Sequence, residues 1–291
     1  DEKNNRYNVW MAEGMFKPRH DWQAAHILPP IANWHAGPSG MAYDPGTALS
    51  DEWRNHFFVT SFPGAPANAR IYAFTLKENG ASFAMDRERE LLRGVLSVGI
   101  RIGTDGALYL TDWITGWDSK DSGRIWKLDA PAAANSTIRK DVQALLGADF
   151  APRPVSDVAT LLRHADMRVR QKAQFDLVRR RESRVLLEAA RDTSSMHARL
   201  HGLWGLAQMA RRDAGQAAQL QPFLTDPDGE IRAQAARLLG DVRHAAAGAD
   251  LMPLLMDTAP RARFFAAEAL GRIAYAPATA ALIDMLAEKA A

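Results

Sequence analysis

Histidines and carboxylates are the side chains best able to hold a metal or move a proton, and this sequence groups them in a few places. His20, Asp21, His26 and His35 fall close together near the N-terminus. Their histidines are six and nine residues apart, and no helix or strand period aligns them, which favours loop histidines over a metal set. Asp118-Ser119-Lys120-Asp121-Ser122-Gly123 offers carboxylates and hydroxyls to Ca²⁺, a cation that takes six to eight oxygens. Lys120 lies between the two carboxylates, however, and Asp, Ser and Gly are also plain turn composition. His197 and His201 stand four apart, the spacing that puts two ligands on one helix face, but Ala198, Arg199 and Leu200 between them supply no Glu for a zinc hydrolase. Asp226-Pro227-Asp228-Gly229 begins like a calcium loop, yet helical periodicity takes over at Glu230, so it reads as a turn between helices. No Ser-His-Asp set and no paired carboxylates stand out, and no residue is assigned a catalytic role.

The elements that would position such groups come in two kinds. Ser97 to Asp129 reads as three strands, VGIRIG, ALYLTDW and RIWKLD, with Gly106 closing the first turn. SGMAY, HFFVTSF and RIYAFTL repeat that order earlier, so that Gly40 falls on Gly99, Thr60 on Thr111, Arg70 on Arg124 and Ile71 on Ile125. A repeat of this length with several strands per unit is the pattern of β-propeller blades. In a four-stranded blade the connection into the innermost strand and the loop between strands two and three lie at one end of the ring axis. His35, Asn68, Arg70, Arg93, Asp112 and Trp113 fall in or beside those segments and are the candidates for a binding mouth. A structural role competes at each: Arg70 and Arg124 hold equivalent repeat positions, and Trp113 and Trp117 are placed to cap a core.

After Val155 the period becomes helical. Four stretches, RVRQKAQFDLV, HARLHGLWGLA, EIRAQAARLLG and RARFFAAEALG, carry a recurrent Arg at 170, 199, 232 and 263. Each follows an apolar first helix, and turns are marked by Asp166, Asp228 and Asp257. The pattern predicts stacked helix pairs of the HEAT type, in which each Arg pairs with the turn Asp of its own or a neighbouring unit. The predicted architecture is multidomain β plus α. A partial propeller of about two four-stranded antiparallel blades spans 1–130, a linker with a short helix spans 131–154, and an α–α superhelix of about four pairs spans 155–291.

Whole-chain numbers set limits on function. The 291 residues carry a net charge of +2, and residues 151–291 hold 20 basic and 16 acidic side chains, too little excess to favour nucleic acid as a partner. The absence of Cys excludes disulfides and thiolate metal sites. No apolar run reaches the roughly 18 residues of a membrane span. Seven of the eight Trp precede residue 130, a composition break that coincides with the change of period.

The run PPIANWHAGPSGMAYDPG, with YNVWMAEG upstream, resembles the glucose/sorbosone dehydrogenase family. HFFVTSFPGAPANARIYAF and DGALYLTDWITGWDSKDSGRIWKL are more similar to a branch of large bacterial proteins that join such a propeller to HEAT repeats and a c-type cytochrome module. The resemblance implies a six-bladed propeller with pyrroloquinoline quinone (PQQ) and Ca²⁺ in the full-length parent, transfer of a hydride from a sugar, and a periplasmic or secreted setting. It also implies that this chain is a fragment, binding no cofactor alone, because the family's general-base histidine comes from an earlier blade. The competing expectation is a scaffold without enzymatic activity, binding sugar or polysaccharide through the propeller and protein through the helical array.

Overall fold

The computed structural model describes residues 31, 32, 34, 35, 37–116 and 121–290, with side chains through residue 287. His20, Asp21, His26, Trp117 and the loop residues Asp118, Ser119 and Lys120 lie outside the described residues. The chain divides into two compact units, Asp1–Gln143 and Ala144–Ala291.

The first unit holds two antiparallel meanders. β1 (Pro38–Tyr43), β2 (Phe57–Ser61), β3 (Arg70–Asn79) and β4 (Ser82–Arg93) form a four-stranded sheet in chain order. β5 (Ile100–Ile102), β6 (Leu108–Asp112) and β7 (Arg124–Leu128) form a three-stranded one. The expectation of two four-stranded sheets is therefore corrected to four strands and three among the described residues. β4 carries Asp86-Arg87-Glu88-Arg89-Glu90 and shows no apolar alternation. It is an edge strand, where an exposed face tolerates charge.

The sequence repeat is also a repeat of register. Thr60 faces Ile71 and Ser61 faces Arg70 in the first sheet; Thr111 faces Ile125 and Asp112 faces Arg124 in the second. The Phe62 amide donates to the Gly37 carbonyl at 2.7 Å, and the Trp113 amide donates to that of Leu96 at 3.0 Å. Gly40 and Gly99 recur because a neighbour presses on each: a Cβ would lie 2.7 Å from the Val98 carbonyl at Gly40 and 2.8 Å from Thr111 Oγ1 at Gly99. Phe58, Ile71 and Ala73 of one sheet share a core with Ile100, Leu108 and Leu110 of the other. Full burial of such a side chain contributes about 1.5–3 kcal/mol. This shared core holds the sheets face to face.

The helix expected in the linker is α1 (Thr137–Gly147). Its Arg139 is buried, donates Nε to the Asp105 carbonyl at 2.6 Å and grips the Asp129 carboxylate at 2.8 and 3.1 Å. Gly106 has φ +80° and lies directly under this guanidinium.

The second unit stacks helix pairs. First helices are α2 (Val155–Thr160) with the 3-10 turn Leu161–Arg163, α4 (Ser183–Arg191), the 3-10 helix Ala214–Thr225, and α7 (Gly248–Leu251) continued by the 3-10 turn Met252–Met256. Second helices are α3 (Met167–Arg179), α5 (Met196–Ala210), α6 (Gly229–Asp241) and α8 (Pro260–Arg272). α9 (Thr279–Ala290) follows the fourth pair. Pro222 and Pro253 lie in first-position elements wound as 3-10 helix, since Pro disfavours an α-helical interior. Gly202 and Gly205 let α5 lie against α4, because a Cβ on Gly202 would come within 2.6 Å of the Leu186 carbonyl.

The turn aspartates are of two kinds. Asp166 and Asp228 are N-caps, accepting the Arg168 amide at 2.8 Å and the Glu230 amide at 2.9 Å. Asp257 is not their counterpart. It stands three residues before its helix, as Asp226 does, and accepts the amide of Ala259 as Asp226 accepts that of Asp228. His164 takes the same place in the first helix pair, its Nδ1 accepting the Asp166 amide at 2.9 Å.

Candidate functional site

Asn68, Arg70, Arg93, Asp112 and Trp113 come to one end of the two sheets. Arg70 faces Arg93, Asp112 faces Arg124, and the Phe62 and Trp113 rings meet edge to face with centroids 5.3 Å apart. His35 stands beside them, over Tyr72, which pairs with Glu90 across the strands. Its ring stacks on Tyr72 at 3.8 Å and its Nε2 lies 2.6 Å from Glu88 Oε1, with Trp34 packed on Tyr72 and Phe74. Tyr72 alternates with Ile71 and Ala73, so this cluster covers the sheet face opposite the shared core.

The groups that do gather are engaged with one another. Glu90 holds both arginines, at 3.1 Å from Arg70 Nε and 2.6 Å from Arg93 Nε. Arg70 also donates to the carbonyls of Ala67 and Ala69. Sequence reasoning missed Glu90 because β4 was not read as a strand; the alternating Arg-Glu-Arg-Glu of residues 87–90 was the available signal. Asp112 is buried, accepting the amides of Leu96 (3.2 Å) and Ile114 (2.9 Å) on Oδ1 and the Trp126 indole N–H (2.9 Å) on Oδ2. At the other end of β6, burial pushes the Asp105 carboxyl up, but Lys127, the Ala107 amide and Tyr109 outweigh it and bring it down to about 2.

In the second unit the recurrent arginines form a ladder. Arg232 places Nε and Nη2 on Asp257 at 2.6 and 2.7 Å, and Nη1 on the carbonyls of Asp226 and Pro227 at 2.7 and 3.1 Å. Arg199 bonds the Asp226 carboxylate and the Ala190 carbonyl. Arg263 bonds the carbonyls of Asp257 and Thr258. The carboxylate thus comes from the following unit and the carbonyls from the arginine's own unit, so each of Asp226 and Asp257 ties two units together. Arg170 departs from this rule, bonding the His164 and Ala165 carbonyls at 2.6 and 2.8 Å and His201 Nε2 at 3.3 Å.

His201 is buried and donates Nδ1–H to Gln174 Oε1 at 2.7 Å. Desolvation, then Arg170 and His197, bring it down to about 3, so it is neutral with both ring nitrogens occupied. The spacing of His197 and His201 therefore does not make a metal pair. Among the described residues no three His, Cys, Asp or Glu side chains converge as a metal site, and no helix is long and apolar enough to cross a membrane.

Five residues after each ladder arginine stands an outward row, Phe175, Trp204, Arg237 and Glu268. Between α5 and α6 this surface opens into a groove of about 260 Å³ lined by Trp204, Ala207, Arg211, Arg237, Leu238 and Asp241 among others. Sequence reasoning missed the groove, because the repeat alignment marks the row but not the gap between two helices.

Residues 217–291 match the HEAT repeat family. Comparison with curated proteins returns no match. Among solved structures, the crystal structure of an engineered protein, Northeast Structural Genomics Consortium target OR329, is 23% identical, with 45% of this chain and 67% of that one covered and a TM-score of 0.32. The chain thus carries N-terminal antiparallel sheets followed by a helical array whose C-terminal region consists of HEAT repeats.

Proposed function

We propose that the protein is an interaction scaffold whose HEAT array offers the outward row of its second helices to a protein partner, and that the two sheets are neighbouring blades of a propeller. One observation carries the scaffold reading: the array uses its buried arginine–aspartate pairs to lock successive units, while the row Phe175, Trp204, Arg237 and Glu268 is left facing outward. Stacked repeats build extended recognition surfaces of this kind. Placing a photo-crosslinking residue at Gln208, beside that row, should capture a protein partner from a native lysate. The same residue at Glu188, exposed on first helix α4, should not. Equal capture at both positions, or none at Gln208, defeats the reading.

The register repeat and shared core favour the blade assignment, and five candidate residues at one end of the sheets favour a second reading. In it a longer, periplasmic or secreted parent oxidises sugars with PQQ and Ca²⁺. The side chains present fit that quinone poorly. Arg70 and Arg93 are both engaged by the Glu90 carboxylate, Asp112 is saturated by two amides and an indole, and His35 is taken up by Glu88 and Tyr72. No step is derived through the quinone, and sugar or polysaccharide binding at the sheets belongs to this second reading alone. Dye reduction by the full-length parent with PQQ, Ca²⁺ and a panel of aldoses tests it, and no turnover across the panel removes it.

A further inference from the structure

Building on the scaffold reading, we propose that the groove between α5 and α6 is the recognition point of the array and takes an acidic protein segment. A Glu or Asp carboxylate would sit between Arg211 and Arg237, and a neighbouring apolar side chain would seat on Ala207 and Leu238.

The inference comes from comparing two successive joints. Between α6 and α8 the second helices are laced by Arg261–Glu230 at 2.8 Å and by Arg272–Asp241. Between α5 and α6 the side-chain bond runs from Trp204 Nε1 to Gln234 Oε1 at 3.0 Å. Gln208 and Asp241 hold matching positions, nine residues after Arg199 and Arg232, with no bond between them, and the groove opens there. At roughly 30 Å³ per water its 260 Å³ would hold about eight or nine, enough for a carboxylate with part of a flanking side chain.

The charge of the groove is unbalanced. Arg211 forms no ion pair among the described residues. The nearest carboxylate to Arg237 is Asp241 at 3.9 Å, and Asp241 is already bonded by Arg272. Arg211 and Arg237 thus line a gap in which a single carboxylate is shared with a third arginine, and the Arg237 guanidinium lies over the Phe265 ring at 5.4 Å without a close ionic partner. Guanidinium forks match carboxylates bidentately, and complementary charge sets which partner is accepted. Buried Ala207 and Leu238 supply an apolar floor, and the half-buried Trp204, its N–H already used, supplies a ring of the kind that anchors interfaces.

The test pans a displayed random peptide library on the whole chain, then measures the enriched peptides by fluorescence anisotropy on four variants. Enrichment of acidic sequences is expected, with affinity at least ten-fold weaker for Arg211→Glu and Arg237→Glu and weakened by salt. Arg184→Glu, an exposed change on α4, should leave affinity unchanged, and Arg272→Glu should weaken it less than the first two. Each variant is checked for unaltered helical circular dichroism, and charge-neutral Arg211→Gln stands in for any that misfolds. Enriched peptides that are not acidic, or that ignore Arg211 and Arg237, overturn this inference while the scaffold reading survives. Tighter binding of a random-sequence single-stranded RNA than of any peptide also overturns it. No enriched peptide at all counts against both readings.

Discussion

Arg232 and Arg263 occupy the same place in successive units but differ in partners, so replacing each by Met should separate the two halves of the ladder bond. Met keeps most of the aliphatic stem and removes the guanidinium. Arg232 loses two charge-assisted bonds to Asp257 and two to carbonyls, between side chains 15% and 9% exposed. A bond to a charged group contributes about 1.5–3 kcal/mol, and stranding a fully buried ion costs about 3–5 kcal/mol. Asp257 still accepts the Ala259 amide at 2.7 Å, which moderates the penalty, so Arg232→Met should cost about 2–4 kcal/mol. Arg263 gives up only its carbonyl bonds and strands no ion, and Arg263→Met should cost about 1.5 kcal/mol. The bond from Arg232 is the first cause holding the Asp257 carboxyl below its usual range, against the upward push of burial. An unfolded Asp titrates near 3.9, so the contribution of the pair is full above about pH 4 and is lost as pH falls through the lower folded value. The gap between wild type and Arg232→Met should therefore close in acid. Urea titration of the whole chain followed at 222 nm measures the array, and equal costs for the two substitutions would refute the assignment of carboxylate to neighbour and carbonyl to self.

Three further outcomes are expected. His201 is held neutral at about 3 against an unfolded value near 6.5. Its contribution is present above pH 6.5 and lost as pH falls toward 3, on the order of 5 kcal/mol in all; its imidazole C–H resonance should not titrate between pH 8 and 4, and a midpoint near 6 would contradict the burial. Gly106→Ala forces a side chain into φ +80° with its Cβ 2.4 Å from Arg139 Nε, and should destabilise the first unit by about 2–3 kcal/mol. Tryptophan fluorescence detects that loss, since seven of the eight Trp precede residue 130, while the 222 nm signal of the array should hold. Asp112→Asn replaces one accepting oxygen by a donor facing either two amides or an indole N–H. A loss of about 1–3 kcal/mol in the same fluorescence assay is expected, and an unchanged midpoint would show that the carboxylate is not the staple described.

What the sequence disclosed follows from which interactions are periodic. The strands around Gly40, Thr60, Gly99 and Thr111, and the helices around Arg170, Arg199, Arg232 and Arg263, were legible because each unit repeats the same local demand: a glycine where a neighbour presses close, an arginine where a turn exposes carbonyls. β4 escaped because an edge strand is relieved of the apolar alternation that reveals central strands, and with it went Glu90, the partner of Arg70 and Arg93. Asp112 stood as a candidate for the binding mouth, with a structural role beside it, because its partners arrive from Leu96 and Trp126, 16 and 14 residues away, with no local signal of the approach. His201 read as a surface or packed histidine rather than a ligand, but its partners, Gln174 and Arg170, could not be named because they lie on the preceding second helix. In each of these cases the residue type was read correctly and its chemistry was consumed by a contact distant in sequence. The same logic points back to Arg211, which has the residue type, the exposure, a place in the groove lining and no such contact among the described residues, and which an external carboxylate could therefore pair without displacing another.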